Sequence, residues 1–217
     1  SRELIVRIIT SIFLLSLLTL MYFYKYILIS ALIVISSVIW YEFNALVSKI
    51  SKNSMIILLS KFLSLSYIFL FSSIVWLYLS EFYGLKNKHL FLFILSVCVA
   101  SDIGGLLFGK IFKGKKLTKI SPNKTISGAI GSFALSISVI FFYDRFQQDY
   151  EFLDLLIITL LVSLCTQLGD LFISILKRKA KVKDTSNLLP GHGGVLDRFD
   201  GILFGIIIGV ATTYLLN

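Results

Sequence analysis

The residues best suited to chemistry lie between Ser174 and Asp200 of this 217-residue chain. Asp197-Arg198-Phe199-Asp200 sets two carboxylates three positions apart, on one face if that stretch is helical. Hard oxygen ligands of this kind suit Mg²⁺, which takes one or two carboxylates and fills its octahedron with water and phosphate oxygens. The plainer reading makes Asp197 and Asp200 the acidic first turn of a helix, stabilised by its dipole. Just ahead, Pro190-Gly191-His192-Gly193-Gly194 cannot continue a membrane helix and permits positive φ. Successive N–H groups in such a turn form concavities for anions; a flexible hinge is the alternative. His192, flanked by glycine, reads as a phosphate hydrogen-bond donor or as a residue that orients the aspartates. Zinc is disfavoured, because no second ligand-type His or Cys lies nearby.

Two more acids, Asp102 and Asp170, sit inside apolar runs. An ionised Asp in a membrane helix costs about 2.5–3.5 kcal/mol on insertion scales, so such a residue is a functional candidate by default. A helix cap or a pair with a buried lysine is the structural alternative. Gly169 beside Asp170 allows a backbone or a ligand to come close. Lys124 and Thr125 open the next apolar run, where a helix N-terminus can point at phosphate. The spacing there is not that of a Walker A loop.

In order and spacing, Ser174–Asp200 resembles the signature of the phosphatidate cytidylyltransferases (CDP-diacylglycerol synthases). The matching positions are Ser174, Lys177, Arg178, Lys183, Asp184, Ser186, Leu189, Pro190, His192, Gly193, Gly194, Asp197, Arg198 and Asp200. Ser121-Pro122-Asn123-Lys124-Thr125 resembles a Ser-Pro-x-Lys-Thr element of the same family. Ser101-Asp102 and Gly109 are similar to it as well, although Leu106 stands near an aromatic position and Lys110 replaces an arginine. A proline frequent before the Ser-Pro is absent, with Thr118 and Lys119 in its place. The likeness extends over Leu90–Gly205. Nearer the N-terminus, Trp40-Tyr41-Glu42-Phe43 is similar to a Trp-Glu-Trp-like patch, and it also reads as an ordinary interfacial aromatic belt.

The resemblance implies transfer of CMP from CTP to phosphatidic acid, giving CDP-diacylglycerol and pyrophosphate. It implies Mg²⁺ held first by Asp170 and Asp197, with Asp200 and Asp102 in support and room for a second, monovalent cation. Asp170, Asp197, Asp200, Lys183, Arg198 and His192 are the implied catalytic residues. Ser121, Lys124, Thr125, Lys177, Arg178, Asp184, Gly193 and Gly194 are the implied substrate contacts. A bacterial inner (plasma) membrane and membrane lipid are the implied setting, and a homodimer is compatible with it. Two enzymatic rivals differ in motif or chemistry. A CDP-alcohol phosphotransferase needs an Asp-Gly-x-x-Ala-Arg run that is absent, and a CTP-dependent polyprenol or dolichol kinase is the closer rival, since distant kinship would share the fold. An ion-coupled secondary transporter, the rival outside enzymes, would show inverted repeats, and none is visible.

The elements that must position these residues are membrane helices. Hydrophobic residues make up 57% of the chain, charged ones 15%, and mean hydropathy is +0.89, which excludes an ordinary soluble domain. Apolar runs of about 18 residues or more span a bilayer core, and with only two prolines the composition favours helices over a barrel. Seven spans are expected: Leu4–Tyr24, Tyr26–Val47, Met55–Leu79, Leu90–Lys110, Ile126–Tyr143, Phe152–Leu176 and Ile202–Leu216. They form one domain, residues 1–217, all-α and polytopic. Cys98 and Cys165 lie in apolar runs and read as small buried hydrophobes.

The formal charge of +9 belongs to loops and anionic lipid contact rather than to nucleic acid. Lys110–Lys124 holds six lysines and no acid, and Lys177–Arg198 holds six more cations. Asp144–Glu151 carries three acids against one arginine. The positive-inside rule puts the N-terminus and both basic loops in the cytoplasm. Cysteines introduced at Lys116 and at Lys181 should therefore be labelled only from the cytoplasmic face, and one at Gln147 only from outside. Labelling of positions 116 and 181 from opposite faces overturns that topology.

Overall fold

The computed structural model describes residues 2–80, 84–118, 124–143, 150–191 and 193–216. Its elements are helices: α1 (Arg2–Phe23), α2 (Lys25–Ile50), α3 (Ser54–Leu79), α4 (Gly84–Phe112), α5 (Ile126–Tyr143), α6 (Phe152–Lys179) and α7 (Leu196–Leu216). Six of them, α2 to α7, are long and apolar enough to cross a membrane, and α1 adds a shorter apolar stretch, Ile8–Phe23. The chain is thus an all-α, polytopic membrane protein. Ser121, His192 and Gln147 lie outside the described residues.

The helices outrun the apolar runs at their polar ends. α4 starts at Gly84 rather than Leu90, α6 continues to Lys179, and α7 begins at Leu196, six positions before the expected Ile202. This last shift turns a short final span into one of 21 residues and places both Asp197 and Asp200 in a helix. The ends are chemically specified. Asn53 caps α3, its side chain accepting the Met55 N–H at 2.9 Å, and Thr125 caps α5 by accepting the Gly128 N–H at 3.1 Å. α4 stops where Lys113 (φ 51°) and Gly114 (φ 101°) enter the left-handed region.

The chain divides into two compact units, each drawn from two stretches of sequence. The first comprises Ser1–Tyr83 with Leu176–Phe199, the second Gly84–Ile175 with Asp200–Asn217, so α6 and α7 each contribute to both. In the first unit α2 packs against α1 and α3. Leu28, Ile39, Leu46 and Phe71 are buried there, and Ser36 and Ser72 meet across α2 and α3 at 2.7 Å.

In the second unit α4 and α5 lie backbone to backbone. A Cβ on Gly128 would stand 2.7 Å from the Gly105 carbonyl, and one on Gly104 would collide with Gly131. Lipid gives apolar helices no reason to associate, so small residues that permit this approach, and hydroxyls that bridge it, do the work instead. Ser132 donates to the Ser101 carbonyl at 2.7 Å, and Ser101 meets Ser163 of α6 at 2.9 Å. This packing fixes the helix that carries Asp102 against the one that Lys124 precedes.

Candidate active site

In the second unit, Lys124 Nζ lies 2.7 Å from Asp170 Oδ2. Asp170 also accepts a long hydrogen bond, 3.4 Å, from Ser174, one turn further along α6. Asp102 of α4 is within electrostatic reach of both Asp170 and Lys124, and it is exposed on its helix. Lys124 thus pairs with Asp170, and Asp102 lies within the electrostatic range of that pair. Lys124 is held in place by short pairing of the basic loop with the start of α5. The Leu117 N–H donates to the Lys124 carbonyl at 2.7 Å, and the Ile126 N–H to the Lys115 carbonyl at 3.0 Å. Thr125 serves as the α5 cap. Gly169 admits a backbone: a Cβ there would lie 2.6 Å from the Asp200 carbonyl and as close to the Phe204 ring. Asp200 itself is buried, and its Oδ1 accepts the Gly201 N–H at 2.9 Å.

In the first unit, α6 ends in a Schellman turn. The Val182 N–H reaches the Lys177 carbonyl at 3.0 Å and the Lys181 N–H that of Arg178 at 3.1 Å, with Lys181 left-handed at φ 55°. Leu189 and Gly193 then exchange hydrogen bonds of 2.8 and 3.1 Å across the glycine turn, in which Gly191 and Gly193 have φ of 76° and 87°. The turn delivers the chain to Asp197 in the first turn of α7. Asp197 Oδ1 receives Lys177 Nζ at 2.6 Å, a pair with side chains only 13% and 5% exposed. Oδ2 receives the Thr185 N–H at 2.8 Å and the Gly194 N–H at 3.0 Å, and the Thr185 hydroxyl lies 3.0 Å away, its one proton shared with Glu42.

The residues singled out from the sequence thus fall into two groups. Asp102, Lys124 and Asp170 gather in one unit; Lys177, Asp197 and the glycine turn gather in the other. The Gly193 and Gly194 N–H groups are directed inward, to Leu189 and Asp197. Arg178, Lys183 and Asp184 are exposed and form no ion pair among the described residues. Arg198 is also exposed.

Glu42 of α2 is the residue that sequence reasoning passed over as part of an aromatic belt. It is 1% exposed. Its carboxylate accepts from the Thr185 and Ser186 hydroxyls and from the Val195 and Leu196 N–H groups. The signal was available: an acid within an apolar span, the same argument that marked Asp102 and Asp170.

No group of three or more His, Cys, Asp or Glu side chains is gathered around a common point among the described residues. Mg²⁺ needs fewer, since it keeps several waters and binds through one or two carboxylates plus phosphate. Asp102 and Asp170, two acids against one lysine, fit that demand. Asp197 has both oxygens in use, so holding a metal there would require Lys177 to give way.

Comparison with known proteins agrees with these motifs. A model described as the cytidylyltransferase family matches residues 3–216. A phosphatidate cytidylyltransferase of Helicobacter pylori is 42% identical over 116 residues, 54% of this chain and 44% of the relative. One from Bacillus subtilis is 43% identical over 117 residues, 52% of this chain and 44% of the relative. One from Rickettsia conorii is 37% identical over 137 residues, 58% of this chain and 60% of the relative. The chain spans about half the length of the curated relatives it matches.

Proposed function

The chain belongs to the cytidylyltransferase family, and on that ground we propose that it joins CTP to phosphatidic acid, giving CDP-diacylglycerol and pyrophosphate. A phosphate oxygen of the lipid forms the new bond to the α-phosphorus of CTP. The bond from that phosphorus to the bridging oxygen breaks, and pyrophosphate leaves with the electron pair. The nucleophile is anionic at neutral pH and needs no strong base. The obstacle is charge: two polyanions must meet, and the leaving group gains more.

The observation that carries this reading is the cluster of Asp102, Asp170 and Lys124. Asp102 is an exposed acid on an apolar helix, and such acids face a watery cavity or a ligand rather than lipid. Asp170, with Asp102 and Asp200 in support, and in the other unit Asp197, would hold Mg²⁺, which would supply neutralisation of phosphate charge. Lys124 and Lys177 each hold an ammonium beside one of those carboxylates and would serve phosphate oxygens. Arg178, Lys183 and Arg198 are exposed cations suited to triphosphate or lipid phosphate, Arg198 through its planar fork. Asp184 and the glycine turn shape the loop that bears them, and the apolar helices suit a substrate with acyl chains.

The test is pyrophosphate release in detergent micelles. Release should require both CTP and phosphatidate, and lipid-bound CMP should appear in equal amount. Transfer of the CTP γ-phosphate to a polyprenol, with CDP as product and no pyrophosphate, overturns the proposal in favour of a kinase.

A further inference from the structure

We propose that Glu42 is a positioning residue for the transfer reaction, a clamp that fixes the glycine turn and the first turn of α7 so that Asp197 and Lys177 are held in register. The proposal rests on the cytidylyltransferase reading of the site.

The geometry is that of a built socket. A buried carboxylate accepts two backbone N–H groups, from Val195 at 3.1 Å and Leu196 at 2.7 Å. These are among the orphan donors at the start of α7, which no intrahelical carbonyl can satisfy. The same carboxylate takes the hydroxyls of Thr185 and Ser186. The second observation is the link to Asp197. Thr185 Oγ1 lies 3.0 Å from Glu42 Oε2 and 3.0 Å from Asp197 Oδ2, so one hydroxyl stands between two carboxylates that share its single proton. The third is steric. A Cβ on Gly194 would stand 2.8 Å from both Glu42 oxygens and collide with the Thr185 hydroxyl. The second glycine of the Gly-Gly pair is therefore required by the approach of Thr185 and Glu42.

A helix cap alone would need only the two N–H contacts. The bridge through Thr185 adds a route by which Glu42 sets the orientation of Asp197, and through Asp197 that of Lys177. Loss of a partner that orients a metal-binding carboxylate typically lowers activity about 10- to 100-fold. Glu42→Gln keeps the shape but replaces one acceptor with a donor, and at least one N–H or hydroxyl contact must fail.

The test compares Glu42→Gln, Thr185→Val and the double variant, in the full chain in detergent. Turnover per folded molecule should fall about 10- to 100-fold in each single variant, with the loss in kcat larger than any rise in KM for CTP. The double variant should be no worse than the more damaged single one, as expected of groups acting in one chain. Thr185→Ser should recover turnover relative to Thr185→Val. Hydrogen exchange, which needs no activity, should speed up in the amides of residues 193–198 of Glu42→Gln and stay unchanged in α4 and α5. Wild-type turnover in Glu42→Gln, losses that multiply in the double variant, or unchanged exchange at 193–198 each overturns the clamp. If Glu42→Gln does not fold, Thr185→Val decides on the same readings. A wild-type protein that releases no pyrophosphate from CTP and phosphatidate overturns the proposed function instead, before any variant is compared.

Discussion

Asp197→Asn should lose at least about 100-fold in turnover, by analogy with the loss of metal-orienting groups, and should be measurably less stable. The substitution keeps the size of the side chain but supplies one acceptor where two are in use. With the amide oxygen toward Lys177, the NH₂ group faces the Thr185 and Gly194 N–H groups, donor against donor. Flipped, it faces the Lys177 ammonium. Neither rotamer satisfies the site. Removing one partner of a buried ion pair typically costs about 3–5 kcal/mol, and this pair is nearly enclosed. The measurement is turnover per folded molecule, with the thermal midpoint recorded alongside. Near-normal turnover by folded Asp197→Asn would remove Asp197 from the site.

Asp170→Asn should show a comparable loss of turnover with little change in stability, and the contrast separates chemistry from folding. Its partner Lys124 is 21% exposed and Asp170 itself 37%. Pairs that reach solvent contribute only about 0–1 kcal/mol, so the thermal midpoint should barely move. A 100-fold drop in rate corresponds to about 2.7 kcal/mol of lost transition-state stabilisation, several times the stability change. The Mg²⁺ concentration for half-maximal rate should rise, and excess Mg²⁺ should restore turnover poorly, since one of two neighbouring carboxylates is gone. Full activity at ordinary Mg²⁺ in Asp170→Asn would place the metal elsewhere.

Much of the fold was legible because the bilayer imposes a length, and long apolar runs reveal it. The misplaced boundaries have one cause. Asp197, Arg198 and Asp200 lower the local hydropathy, yet the backbone there is helical, with acids in a first turn where the dipole favours them. Apolar length reports the lipid-facing part of a helix and is blind to its polar end. The family was legible in Ser174–Asp200 because that pattern depends on side-chain identity at fixed spacing, and the family match over residues 3–216 bears it out. Local pattern also marked Asp102 and Asp170 as acids in apolar runs, and the structure pairs Asp170 with Lys124 and brings Asp102 within electrostatic reach of both. It could not reveal what Glu42 touches. Two of its donors are backbone N–H groups, which have no signature in the sequence, and all four lie more than 140 positions away.

That separation has a consequence for biogenesis. Glu42 leaves the ribosome well before Thr185, Val195 and Leu196, which follow it by 143, 153 and 154 residues. At about 5–20 residues per second, the interval is roughly 7 to 30 s. During that time α2 carries an acid whose eventual donors do not yet exist, and an ionised carboxylate opposes insertion by about 2.5–3.5 kcal/mol. The nascent helix must wait at the interface, or borrow water and a neighbour, until α7 emerges. Arrival of α7 both completes the glycine turn and discharges this debt, so integration of α2 and maturation of the site become linked events.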